Sequence, residues 1–95
     1  MIFINVTYDC KPGKREAFYR EICERGIGEK SRSENGCGRY EYFNAIEKPD
    51  RLFLAEEWSD PEALAAHSAS AHFAELQGLK AEYVEDVTIK KIEKE

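Results

Sequence analysis

In the runs of this sequence that read as strands, apolar side chains fall on both faces. Successive strand residues point to opposite sides. In residues 2–9 (IFINVTYD), Ile2, Ile4, Val6 and Tyr8 share one side while Phe3 stands on the other. Residues 51–58 set Leu52, Leu54 and Trp58 against Phe53 and Ala55, and residues 37–45 set Tyr40 and Tyr42 against Phe43. An antiparallel sheet with one wet face would alternate cleanly between apolar and polar. A sheet of these strands must therefore be covered twice. Ninety-five residues form one domain, residues 1–95, with helices enough for one face. A domain of this size gains from association. The simplest cover for the second face is another copy of the chain, and a homodimer is expected.

The punctuation between the strands sets the order of elements. Lys11-Pro12-Gly13 is a turn, and a helix is predicted from about Gly13 to Ser33, with Phe18/Ile22 and Tyr19/Cys23/Ile27 recurring at i+4. Gly26 and Gly28 weaken its later half. Glu34-Asn35-Gly36 turns into the strand from Cys37 to about Ala45, and Lys48-Pro49-Asp50 precedes the strand Arg51–Trp58. Ser59-Asp60-Pro61-Glu62 is a helix start: Ser59 or Asp60 can cap, Pro61 suits the first helical position, and Glu62 completes a capping box with Ser59. Ser68-Ala69-Ser70 interrupts that helix, a second piece runs from about Ala71 to Tyr83, and a last strand spans about Val84 to Ile92. The order β-α-β-β-α-β is that of the α+β, ferredoxin-like split βαβ arrangement, with a four-stranded antiparallel sheet.

Charge and cysteine content narrow the function classes. Fourteen basic against nineteen acidic residues give a net charge of −5. No nucleic-acid partner is expected, because phosphate binding needs clustered cations. The one basic cluster, Lys90, Lys91 and Lys94, alternates with Glu93 and Glu95 and reads as a solvated strand end. No run approaches the roughly 20 apolar residues of a membrane span, and MIFINVTYD lacks the basic start of a signal peptide. Cys10, Cys23 and Cys37 are odd in number and form no CxxC, which predicts buried apolar fillers in a reducing, cytoplasmic setting.

From Glu34 to Phe73 the sequence carries a recognisable pattern: ENGCGRYEYF, then LFLAEEWSDPEALAAH, then SAHF, with KPGKREAF after the opening strand. These segments resemble the antibiotic biosynthesis monooxygenase family, including quinol monooxygenase-like members, over nearly the whole chain. The resemblance implies a dimeric α+β barrel and a cofactor-free monooxygenase that uses O2 on a small electron-rich aromatic, a quinol or polyketide phenol. A haem-degrading branch uses an Asn in strand one, a Trp in the second helical region and a His ten residues later. Here Asn5 fits the first, but His67 and Gln77 stand at the other two positions, and no haem is expected. The segment from His67 to Phe73 (HSASAHF) also resembles an isomerase branch acting on a phosphorylated autoinducer. A non-catalytic ligand-binding stress dimer is the third reading.

The candidate catalytic residues are His67 and Glu56. His67 follows Ala63 and Leu64 by one turn on the helix face toward the sheet, and its imidazole can take a phenolic proton near neutral pH. Glu56 shares a strand face with Leu52, Leu54 and Trp58, so it needs a partner or a raised pKa; Arg39 and Tyr42 are candidate partners. Trp58, His72, Phe73, Tyr40, Tyr42, Arg39 and Asn5 are candidate substrate contacts, although core packing is the commoner role for aromatic side chains such as Trp58, Phe73, Tyr40 and Tyr42. His72 lies five residues beyond His67, roughly 140° around an ideal helix. With no HExxH motif and no cysteine pair either, no metal site or other cofactor is expected.

Overall fold

A computed structural model describes residues 1–95. The elements are β1 (Ile2–Cys10), α1 (Arg15–Glu24), α2 (Ile27–Arg32), β2 (Cys37–Asn44), β3 (Arg51–Trp58), α3 (Pro61–Ser68), α4 (Ala71–Tyr83) and β4 (Val84–Glu93). The strands form one antiparallel sheet in the order β2-β3-β1-β4. The expected α+β, ferredoxin-like arrangement is what the chain adopts.

The long first helix is two helices. Gly26 sits at φ 65°, the left-handed conformation that closes a helix, so α1 stops at Glu24 and α2 restarts at Ile27 in a new direction. Phe18 and Ile22 of α1, and Ile27 of α2, are buried against the sheet. The start of α3 also differs in detail. Asp60, not Ser59, is the N-cap: its carboxylate accepts from the Ala63 amide at 2.8 Å, with Pro61 in the first turn. Ser59 instead donates its hydroxyl to Asp60.

The covered face of the sheet holds the core. Ile2, Ile4, Val6, Tyr8, Leu52, Leu54 and Trp58 are buried under Phe18, Ile22, Ile27, Leu76 and Leu79. The opposite face carries Phe3, Phe53, Ala55, Phe43 and Ile92 among polar residues, and the last two remain 39% and 51% exposed. Cysteine placement departs from expectation: only Cys10 is buried, Cys37 is half-buried, and Cys23 is exposed because it lies on the outer side of α1 from Ile22. No helix is long and apolar enough to cross a membrane.

Candidate active site at the end of the sheet

Three local features bring the site together. First, β2 and β3 pair so that Tyr40 stands opposite Glu56, and Cys37 opposite Trp58. Tyr40, Glu56 and Trp58 thus lie on the helix side of the sheet. Second, α3 ends one residue after His67, and Ser70 starts α4. The Ser70 hydroxyl donates to the His67 carbonyl at 2.6 Å and accepts from the Phe73 amide at 3.2 Å. That serine folds the connection back on itself, so His67 and His72 do not follow the ideal-helix angle and turn toward the same point. Third, Gly36, at φ +87°, carries the chain from α2 into β2, with Glu34 two residues before it.

His67 is 2% exposed. Its ring lies 4.6 Å from the Trp58 ring, tilted by 32°, with Tyr40 at 5.4 Å and Phe73 at 5.3 Å meeting it edge-on. Its Nδ1 lies 2.7 Å from Oε2 of Glu34. Burial lowers the His67 pKa below the ordinary 6.5, against the opposing pull of Glu34. The imidazole is therefore neutral at neutral pH. Nδ1 carries the hydrogen toward Glu34, and Nε2 keeps its lone pair.

Glu56 has a different partner from either expected one. Its Oε1 accepts the Trp58 indole N–H at 2.9 Å, and burial raises its pKa. It does not touch His67, so the orienting carboxylate is Glu34 and not Glu56. Arg39 pairs with Glu41 at 3.0 Å on the opposite face of the sheet, its guanidinium over Phe43. Residues alternate along a strand, so Arg39 had to point away from Tyr40. Asn5 faces the same way, opposite Ala55, and is exposed. Neither joins the cluster around His67. Tyr42 stands next to Tyr40 at 5.8 Å, its hydroxyl buried without a partner. Desolvation pushes the Tyr40 hydroxyl up to about 12 and raises that of Tyr42 as well. Gln77 lies exposed on α4.

Glu34 and Ser70 are the residues that sequence reasoning missed. Glu34 heads the ENGCGRYEYF stretch, and that position was its only signal. The structure also alters the ground for expecting no metal. Ligand atoms of Glu34, His67 and His72 all lie within 4.8 Å of one another, with His72 Nε2 at 3.3 Å from Glu34 Oε1. His67 lines none of the five principal clefts. One of them, about 260 Å³, lies between Tyr19, Cys23, Arg32 and Tyr42.

The sequence model of the family described as antibiotic biosynthesis monooxygenase matches residues 1–79. "Putative monooxygenase YcnE" of Bacillus subtilis (strain 168) is 32% identical over 73 residues, which cover 77% of this chain and 75% of that one. Among solved structures, PA3566 from Pseudomonas aeruginosa superposes with a TM-score of 0.87 at 26% identity, covering 98% of this chain and 92% of that one. The crystal structure of an antibiotic biosynthesis monooxygenase superposes with a TM-score of 0.85 at 27% identity, covering 99% and 98%.

Proposed function

We propose that this chain, which belongs to the antibiotic biosynthesis monooxygenase family, is a cofactor-independent monooxygenase of small electron-rich phenols, working as a cytoplasmic homodimer with His67 as the base. The observation that carries the reading is the Glu34–His67 pair, whose imidazole is buried inside an aromatic box. A base at neutral pH needs a neutral imidazole with one nitrogen fixed by a partner and the other free to accept. Here Glu34 holds Nδ1.

The chemistry asks little more of the protein. His67 Nε2 takes the phenolic proton, and the electron-rich phenolate passes one electron to O2. The resulting radical pair combines at a ring carbon bearing hydrogen, and the peroxide takes back the proton from His67. Loss of water then leaves a quinone carbonyl. One oxygen atom enters the ring and the other leaves as water, with all four electrons drawn from the substrate. Trp58 and Phe73 supply flat walls for an aromatic ring. Because His67 lines no principal cleft, substrate must open one; His72 and Phe73, half-buried in the first turn of α4, are the side chains placed to move.

The test is oxygen uptake with reduced quinones and polycyclic phenols. His67→Ala should lower turnover by about 10²–10⁴-fold while the protein stays folded. The limb of the pH profile belonging to the base should lie below pH 6.5, as its lowered pKa requires. Full activity in a folded His67→Ala protein would make the histidine structural. Substrate turnover without oxygen consumption would favour the isomerase reading.

A further inference from the structure

We infer that Glu34, His67 and His72 form a binding site for a divalent cation of the zinc class, and that its occupation switches off His67 as a base. The binding stands on geometry alone; the effect on turnover rests on the reading of His67 given above.

The three side chains come from the loop after α2, the end of α3 and the start of α4, and all converge within 4.8 Å. Ordinary packing does not explain their arrangement. His72 Nε2 is buried and has no hydrogen-bond partner, although Glu34 Oε1 is only 3.3 Å away. Buried polar atoms are rarely left so. Zinc bonds nitrogen and oxygen ligands at about 2.0–2.2 Å, which sets two ligand atoms of a tetrahedral centre about 3.3 Å apart. The His72–Glu34 distance already meets that spacing. The 2.7 Å between His67 Nδ1 and Glu34 Oε2 must open by about 0.6 Å. Glu34 can supply that movement, since it stands in a loop with its side chain 19% exposed. Water completes four-coordination, as in zinc sites with three protein ligands.

The donor set selects the ion. Two imidazoles and one carboxylate suit zinc, cobalt or nickel, whereas magnesium and calcium take oxygen ligands. Entry runs through the open cleft that His72 borders with Glu29, Lys30, Arg32 and Ser33. Lys30 and Arg32 oppose a cation there and Glu29 favours it, so the affinity is moderate.

The consequence for His67 follows from its tautomer. Without metal, Nδ1–H points to Glu34 and Nε2 accepts protons. A cation bound at Nδ1 leaves the hydrogen of a neutral imidazole on Nε2. The base then has no lone pair facing substrate.

The experiment is calorimetric titration of the full chain with zinc chloride, in a Cys23→Ser background that removes the exposed thiol. One ion per chain should bind, with a Kd tighter than about 0.1 mM, while magnesium chloride gives no heat. His72→Ala should weaken zinc by at least about 100-fold. Glu34→Gln is the second variant, and circular dichroism checks the fold of both. Zinc should suppress oxygen uptake by the parent, and His72→Ala should escape that suppression relative to its own zinc-free rate. No stoichiometric binding, or binding indifferent to both substitutions, overturns the site and leaves the oxygenase reading untouched. Stoichiometric binding without loss of turnover overturns the switch, and with it the role of His67 Nε2.

Discussion

The same four strands present two faces that are completed in different ways. Toward the helices, alternate residues from Ile2 to Tyr8 and from Leu52 to Leu54 are sealed by Phe18, Ile22, Ile27, Leu76 and Leu79. Away from the helices, Phe43 and Phe53 lie against each other at 6.2 Å with Phe43 still 39% exposed. The covered face is finished within one chain. The open face keeps exposed apolar surface at Phe43 and Ile92 beside the charges of Arg39, Glu41 and Glu57.

The largest effect that separates the faces comes from one phenylalanine on each. Phe18→Ala should cost about 3–5 kcal/mol of unfolding free energy at every protein concentration, read by denaturant titration. Phe53→Lys should leave the chain folded and reduce the mass seen in light scattering to 10.9 kDa. A dimer that survives Phe53→Lys at micromolar concentration would move the interface elsewhere.

A second test concerns the one carboxylate buried in the covered face. Burial raises the Glu56 pKa above its ordinary 4.5, so the folded protein favours the protonated form. The stability tied to that form is complete below pH 4.5 and is lost as pH rises through the raised value. Glu56→Gln keeps an acceptor for the Trp58 indole and removes the loss. The variant should melt higher than the parent at pH 8 and alongside it at pH 4. Equal melting at both would show that Glu56 is solvated despite its position.

The smallest effect lies on the outer side of the helical layer. A Cβ at Gly78, inside α4, would meet nothing within 4 Å. Gly78→Ala should therefore stabilise by about 0.5–1 kcal/mol, measured by the same titration. A loss instead would mean that this side of α4 is covered in solution.

The strands were readable because their signals are local. β-branched and aromatic runs bounded by Pro and Gly placed Arg51–Trp58 to the residue, and the other three strands to within one at either end. Helix continuity was less readable. Gly26 weakened the expected helix on propensity alone, and only its positive φ shows a break. Among the site residues, the aromatic box follows from alternation along β2 and β3. The carboxylate does not, because Glu34 reaches His67 across 33 residues of sequence, a separation that no periodicity reports. Resemblance draws Asn5 toward the site and the need of Glu56 for a partner draws Arg39, and strand parity sends both to the opposite face.

Gly36 joins these halves in a way that bears on how the chain can be altered. A Cβ there would sit 2.6 Å from both Ala63 Cβ and Ser59 Oγ, and the Gly36 carbonyl accepts the Ser59 amide at 2.8 Å. The loop that carries Glu34 is thus pressed against the root of the helix that carries His67. By contrast, Ile46, at the tip of the β2–β3 connection, is fully exposed, while Arg15 and Asp50 hold the base of that loop. An epitope tag or a fluorescent insert belongs between Ile46 and Glu47. Even one residue added between Glu34 and Gly36 would separate carboxylate from imidazole while leaving all four strands in place.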